Sequence, residues 1–142
     1  MDNVAGNISI GDKLPVVEKA ITGLQIKKYA AVSGDHNPVH LDETFAAKSS
    51  FGRIVAHGML TLAFLSEMMT KAFGVNWLEN GQMKVKFRKP AYPGDRVRTG
   101  GEVVRTTKCG QLKTIYCQLI LLDIDDGEEI ISGAAEVTIP IE

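Results

Sequence analysis

The sequence has few cysteines and no long hydrophobic run. Only 2 of its 142 residues are cysteine, so it lacks the dense disulfide framework of small secreted domains. No clean apolar segment reaches the length of about 20 residues that a membrane-spanning helix needs. The first residues show neither the basic start nor the apolar core of a signal peptide. We therefore expect a cytoplasmic protein in a reducing environment, with no membrane partner.

The sequence also lacks an excess of charge of either sign. Its 16 lysines and arginines nearly balance its 17 acidic residues, which gives a formal net charge of −1. A nucleic-acid-binding protein needs surplus cations to displace counterions from phosphates, so we expect no nucleic-acid partner. With 44% hydrophobic residues, the chain is rich enough in apolar side chains to avoid disorder. Because no repeat or linker is visible, we predict a single domain over residues 1–142.

Helical signals dominate the first half of the chain. Thr22 and Gln25 have the spacing of a capping box, and Gly34 ends the segment that they begin. Asn37 before Pro38 predicts a second N-terminus, because proline tolerates the first helical position. A third segment is apolar on nearly every side, which predicts a buried helix. The predicted helices run from Gly23 to the residue before Gly34, from Pro38 to about Lys48, and from Gly58 to Phe73.

Strand signals dominate the second half. Apolar residues alternate with cations from Met83 to Arg88, the period-two pattern of a strand with one buried face. Further strand-like runs cover Arg96–Thr107, Leu112–Asp123 and Glu129–Ile139, and a short extended stretch covers Lys13–Ile21. Helices followed by strands predict an α+β domain, and the simplest arrangement wraps an antiparallel sheet of about five strands around the long apolar helix, which is the hotdog fold. Since one sheet covers one side of such a helix, we expect a homodimer or a higher homo-oligomer.

The residues that could do chemistry cluster before the third helix. Asp35 and His40 flank Asn37 and Pro38 in a Gly-Asp-x-Asn-Pro-x-His string. Pro38 keeps Asn37 out of the helical region, so Asp35 lies on the loop and His40 in the first helical turn. A carboxylate and an imidazole that converge on one water are suited to general acid–base catalysis.

The start of the third helix offers a second element of a site. The unpaired N–H groups and the positive dipole end of a helix stabilise an oxyanion, and Gly58 lets a ligand approach the backbone closely. His57 is interpreted as a loop residue that packs on the helix. Ser66 lies eight residues after Gly58, near the same helix face, although a serine in a buried helix usually bonds to its own backbone.

A metal site is the weaker interpretation of the histidines. His36 and His40 have the four-residue spacing of a zinc-binding helix, and Asp35 and His57 could add ligands. However, Pro38 prevents the continuous helix that would align the two rings, and the glutamate of the His-Glu-x-x-His pattern is missing. We therefore expect no metal site.

Two motifs carry a resemblance to a known family. The string from Tyr29 to Asp42 and the Ile-Val-Ala-His-Gly-Met-Leu string from Ile54 to Leu60 resemble the MaoC-like (R)-specific enoyl-CoA hydratases and the related (3R)-hydroxyacyl-thioester dehydratases. The resemblance implies a hotdog fold, usually dimeric, without metal or redox cofactor. It implies that Asp35 and His40 hold the reacting water, and that the backbone N–H of Gly58 faces the thioester oxygen. It also implies supporting roles for Ser66 and for Asn37, the latter as a loop organiser.

These observations predict reversible hydration of trans-2-enoyl thioesters, but other functions stay open. A hotdog thioesterase would use a carboxylate on the central helix, for which Glu67 is the candidate. A non-catalytic acyl-thioester-binding subunit of a hetero-oligomeric dehydratase is a second alternative. The cations at Lys84, Lys86, Arg88 and Lys89 are most simply a solvated strand face. The substrate carrier is either coenzyme A or acyl carrier protein, and the sequence does not separate the two.

Overall fold

The computed structural model describes residues 7–141. Short helices precede one long helix, and four of the five strands follow it. In chain order the elements are β1 (Glu18–Ala20), α1 (Gly23–Ser33), α2 (Pro38–Leu41), α3 (Glu43–Ala47), α4 (Gly58–Phe73), α5 (Val75–Asn80), β2 (Gln82–Phe87), β3 (Arg96–Cys109), β4 (Leu112–Asp123) and β5 (Glu129–Pro140).

The strands form one five-stranded sheet with the order β1-β3-β4-β5-β2. All neighbouring strands are antiparallel. Along the central strand β4, buried residues recur at every second position from Lys113 to Asp123, so one face of the sheet points into the core. An antiparallel sheet wrapped around one long helix is the hotdog fold, and the predicted fold class is therefore confirmed.

Helix α4 packs against the inner face of this sheet. Its ends lie where the sequence predicts them, and Leu65, Met68 and Met69 are fully buried. The helix sits close to the sheet because Gly101 of β3 has no side chain; a Cβ there would lie 2.9 Å from Met68 Cε. Met59 on the opposite flank is 57% exposed. Within residues 7–141, no helix combines the length and hydrophobicity that crossing a membrane requires.

The second predicted helix is wrong in one respect. The structure breaks the segment from Pro38 to Lys48 at Asp42, which adopts an extended conformation with φ −113° and ψ 109°. The Asp42 carboxylate accepts hydrogen bonds from the N–H groups of Thr44 and Phe45, so it caps a new helix. An aspartate often prefers this capping role to an interior helical position, which explains the break. The short helix α5, with buried Trp77, was not predicted.

The interpretation of Lys89 as part of a solvated strand face is also wrong. Its ammonium lies 2.7 Å from Asp126 and 3.2 Å from Glu128, both on the turn between β4 and β5, and 3.4 Å from Asp123 at the end of β4. The hydrogen bond to Asp126, assisted by Glu128 and Asp123, raises the pKa of Lys89 despite its partial burial. The same bond lowers the pKa of Asp126. Lys89 therefore ties the chain after β2 to this acidic turn.

Candidate active site

The corner between α1 and α2 is built by local signals. Gly34 ends α1 in the left-handed conformation with φ 81°, which a residue with a side chain rarely adopts. Asn37 is the N-cap of α2, its Oδ1 accepting from the Val39 N–H at 3.1 Å, and Pro38 is the first helical residue. The predicted Asn-Pro helix start is thus confirmed, and the chain turns sharply between Asp35 and His40.

Asp35 is exposed on this corner and its carboxylate is held by the backbone. Its Oδ1 accepts a hydrogen bond from the N–H of Asn37 at 3.2 Å, while its own N–H donates to Ser33 Oγ at 3.2 Å. The hydrogen bonds within residues 7–141 leave Oδ2 unengaged. This second oxygen can therefore accept a proton from a small molecule, and the first fixes its direction.

His40 is half-buried and has a defined tautomer. Its Nδ1 lies 2.7 Å from the carbonyl oxygen of Val55, and a carbonyl oxygen only accepts, so Nδ1 carries a proton. The lone pair of the neutral ring is therefore on Nε2. This nitrogen can take a proton or, in the imidazolium, donate one. The carbonyl of Val55, 15 residues further along the chain, therefore orients the His40 ring for acid–base chemistry.

The structure adds His57 to this pair. Asp35, His40 and His57 each present a nitrogen or carboxylate oxygen, and the three atoms lie within 4.8 Å of one another. His57 is only 2% exposed, and its ring stacks on His40 with a centroid separation of 3.8 Å and an interplanar angle of 26°. His36 is exposed and is not part of this cluster. The sequence predicts a packing role for His57, with a metal ligand as the weaker alternative, and its position directly before Gly58 is the signal for a place in the site.

The same cluster offers donor atoms that a metal ion could use, since one atom each of Asp35, His40 and His57 lies within 4.8 Å of the others. A closed zinc site holds four ligands in a tetrahedron, so these three residues would leave one position open. The expectation of no metal therefore stays a prediction.

A cavity lined by His40 and Gly58 opens at the N-terminus of α4. Its volume is about 480 Å³, within the usual range for small-molecule sites. Gly58 is exposed here, and a Cβ on it would lie 3.2 Å from the Phe87 ring. The hydrogen bonds inside α4 begin with the N–H groups of Leu60 and Thr61, which donate to the His57 carbonyl. The backbone N–H of Gly58 precedes them and has no partner within the helix. The lining is largely apolar and comprises Val39, His40, Phe51, Val55, Ala56, Gly58, Thr61, Phe87, Arg88, Lys89, Pro90 and Ala91.

The chain matches a known protein family and several named proteins. The family described as "MaoC like domain" matches residues 7–121, which is most of the chain. The chain belongs to the MaoC-like domain family. A 3-hydroxybutyryl-CoA dehydratase from Methylorubrum extorquens is 30% identical over 126 residues, or 88% of this chain and 77% of that protein. An (R)-specific enoyl-CoA hydratase from Aeromonas caviae is 28% identical over 137 residues, or 96% and 98% of the two chains.

A solved structure supports the same assignment. The MaoC-like domain described here superposes on an R-hydratase from Pseudomonas aeruginosa with a TM-score of 0.80 at 27% identity, covering 95% of this chain and 84% of that chain. The relatives are named as hydratases and dehydratases, so the family-level activity is hydration or dehydration of enoyl and hydroxyacyl thioesters by a hydro-lyase.

Ser66 lies apart from the cluster within this chain. Eight helical residues at about 1.5 Å each place it about 12 Å from Gly58 along the axis of α4. Its Oγ accepts a hydrogen bond from Trp77 Nε1 at 3.0 Å. The structure therefore brings together Asp35, His40 and Gly58, while the supporting role of Ser66 stays a prediction.

Glu67 forms ion pairs with two lysines. Its carboxylate lies 3.1 Å from Lys19 Nζ and 3.6 Å from Lys71 Nζ on a partly exposed flank of α4. These ion pairs hold the carboxylate at the surface of the MaoC-like domain. The geometry does not favour the nucleophile or base that a thioesterase would need at this position.

Proposed function

We propose that this protein reversibly hydrates trans-2-enoyl thioesters to (R)-3-hydroxyacyl thioesters without a cofactor. The observation that carries the proposal is the approach of Asp35 and His40 to within 4.8 Å, beside a cavity that opens on Gly58. A free carboxylate oxygen and an imidazole Nε2 are thus available to one water, and the helix N-terminus is available to one carbonyl oxygen. These are the groups that adding water to a polarised double bond requires.

The reaction begins with the thioester carbonyl at the Gly58 N–H. The hydrogen bond and the positive end of α4 draw electron density towards the carbonyl oxygen, which makes C3 of the enoyl group electrophilic. The water held between Asp35 and His40 attacks C3. Asp35 removes a proton from this water, and the protonated His40 gives its Nε2 proton to C2 on the same face. Proton exchange between the two side chains, or with solvent, then restores both groups.

We assign the base to Asp35 and the acid to His40. The Val55 carbonyl fixes the second ring nitrogen of His40, so Nε2 is the nitrogen that transfers the proton. Both groups act on the same water, so the base and the acid work as one unit.

The apolar side of the cavity is suited to the acyl chain. Val39, Val55 and Phe87 line the wall beside Gly58 and His40. Phe87 is 52% exposed in one chain, so its ring has surface left to cover a bound chain. Both coenzyme A and acyl carrier protein present the same phosphopantetheine thioester, and we propose that class as substrate.

We infer that the working unit is a homodimer in a reducing compartment such as the cytoplasm. The exposed Met59 flank of α4 and the position of β2 at the edge of the sheet support association with a second copy. Cys109 and Cys117 are both free thiols, which supports a reducing location.

The proposed reaction is tested with crotonyl-CoA as the substrate. We expect loss of the enoyl absorbance and formation of 3-hydroxybutyryl-CoA, which chiral analysis identifies as the R enantiomer. Release of free thiol without the hydroxyacyl product would instead show a thioesterase, and Glu67→Gln would then abolish it. An inactive purified homodimer that a co-expressed partner chain activates would show a non-catalytic subunit.

A further inference from the structure

His57 occupies the contact between three parts of the candidate site. Its Nε2 lies 3.0 Å from the carbonyl oxygen of Asp35, across 22 residues of chain. One face of its ring stacks on His40, and the ring also contacts Tyr29 at a centroid distance of 4.8 Å and an angle of 57°. Its backbone carbonyl accepts from the first turn of α4. One buried residue therefore contacts the Asp35 backbone and the His40 ring through its side chain, and the first turn of α4 through its backbone carbonyl.

We propose that His57 is a positioning residue that sets the geometry of the Asp35–His40 pair. The hydrogen bond from His57 Nε2 to the backbone carbonyl of Asp35 fixes the loop from which the Asp35 carboxylate projects. The stacked ring restricts rotation of His40 about its side-chain bonds, so that Nδ1 stays on Val55 and Nε2 stays towards the water. The inference rests on the proposed hydration reaction, since it concerns the same two residues.

The hydrogen-bond pattern assigns a tautomer to each ring. A carbonyl oxygen accepts from His57 Nε2, so this nitrogen carries the proton, whereas in His40 the proton is on Nδ1. Among the described residues, His57 Nδ1 is buried and has no hydrogen-bond partner. A buried polar atom without a partner is rarely retained for packing alone, because burying it disfavours folding. The Nε2–H on the opposite side of the ring donates to the Asp35 carbonyl, which explains a histidine at this position.

Two substitutions separate the roles of the His57 N–H and the His57 ring. His57→Gln keeps an amide N–H near the position of Nε2 but loses the ring, while His57→Phe keeps a ring on His40 but loses the N–H. Because His57→Phe loses the hydrogen bond to the Asp35 carbonyl, we expect it to lower kcat about tenfold or more, with KM changed less than about threefold. His57→Gln is expected to recover part of that loss. His36→Gln is the matched control, because His36 is exposed, and we expect it to keep wild-type kcat.

A spectroscopic measurement keeps the inference testable if a variant folds poorly. Ring nitrogen shifts in ¹⁵N-labelled wild-type protein are expected to show His57 protonated at Nε2 and His40 protonated at Nδ1. In His57→Phe, we expect the His40 ring resonances to broaden or shift, whereas His36→Gln leaves them unchanged. This readout does not depend on turnover, so it holds even if the proposed reaction fails.

Two results would overturn the positioning role. The first is a His57→Phe enzyme whose kcat per folded molecule equals that of wild type, which would reduce His57 to packing. The second is a His57 ring protonated at Nδ1 rather than Nε2, which would remove the bond to Asp35. Absence of hydration by the wild-type protein, with both tautomers as assigned, would contradict the proposed function and not this contact.

Discussion

The imidazole rings of His40 and His57 stack with their centroids 3.8 Å apart and their planes 26° apart. Each ring donates its single N–H of the neutral form to a backbone carbonyl, His40 to Val55 and His57 to Asp35. The two bonds link the helix start at Pro38, the corner between α1 and α2, and the approach to α4. The candidate site is therefore held by long-range contacts between segments that are each defined locally.

Gly58→Ala is expected to lower activity without loss of stability. The new methyl group would lie 3.2 Å from the Phe87 ring and would fill the space through which the thioester approaches the helix N-terminus. The backbone N–H stays, but the methyl group would keep the thioester oxygen at a distance from it. Since an oxyanion donor typically contributes about 10² to 10³ in kcat, we expect kcat/KM to fall by at least about tenfold.

Gly23→Ala is the matched control for this change. Gly23 is likewise the first residue of a helix, α1, but a Cβ there meets no atom within 4 Å. We expect Gly23→Ala to keep wild-type kcat/KM. Equal effects of the two substitutions on kcat/KM would contradict a special role for the space at Gly58.

Replacement of Lys89 by methionine is expected to lower stability near neutral pH and to have less effect in acid. The Asp126 carboxyl has a lowered pKa in the folded protein, so it favours folding above its unfolded pKa, and this contribution is lost as the pH falls through the folded pKa. Lys89→Met removes the hydrogen bond that lowers this pKa, so the difference in stability between the variant and the wild type should shrink as the pH falls. Because the Asp123 side chain is only 7% exposed and loses its cation, we also expect about 1–3 kcal/mol less stability at pH 7.

Chemical denaturation at several pH values measures this effect. Lys13→Met is the control, since Lys13 pairs with Glu102 at 3.2 Å in an exposed ion pair. Such pairs contribute about 0–1 kcal/mol. Identical pH profiles for Lys89→Met and the wild type would show that the acidic turn does not need its cation.

The two cysteines are expected to differ sharply in reactivity. Burial on the inner face of β4 raises the pKa of the Cys117 thiol to about 11, so at pH 8 it is almost entirely protonated, whereas Cys109 is exposed. A thiol-disulfide reagent should modify one thiol per native chain quickly and the second only after denaturation. Two equally fast thiols in the native protein would contradict the buried position of Cys117.

Removal of divalent metals is expected to leave activity unchanged. The proposed reaction needs only the side chains of Asp35 and His40 and the backbone N–H of Gly58. Prolonged dialysis against a chelator, followed by the crotonyl-CoA assay, checks this. A loss of activity that an added metal ion reverses would show that Asp35, His40 and His57 hold an ion.

The sequence predicts those parts of the fold that local signals define. The capping box of Thr22 and Gln25 forms as expected, and Gly34 ends α1. The Asn37–Pro38 corner and the bounds of α4 also follow from residues adjacent in sequence. Period-two alternation locates the strands of the second half because one face of each is buried.

The features that the sequence does not predict depend on side-chain competition or on contacts between distant parts of the chain. Asp42 interrupts the predicted helix because its side chain competes for backbone N–H groups, and the sequence signal for a first-turn charge is the same as that for a cap. His57 contacts Asp35 across 22 residues, and Lys89 reaches Asp126 across 37, so neither partner is visible in a local pattern. The Trp77–Ser66 hydrogen bond likewise depends on how α5 folds back on α4.

The most direct test of the account is steady-state hydration of crotonyl-CoA by Asp35→Asn and His40→Ala. Asp35 is exposed and His40 is half-buried, and neither belongs to the buried core, so we expect both variants to fold, which their thermal unfolding checks. We expect kcat to fall by about 10² or more in each single variant, with little further loss in the double variant, because the two residues act on one water. Wild-type turnover in either folded single variant would contradict the central claim that Asp35 and His40 together activate the water that adds to the double bond.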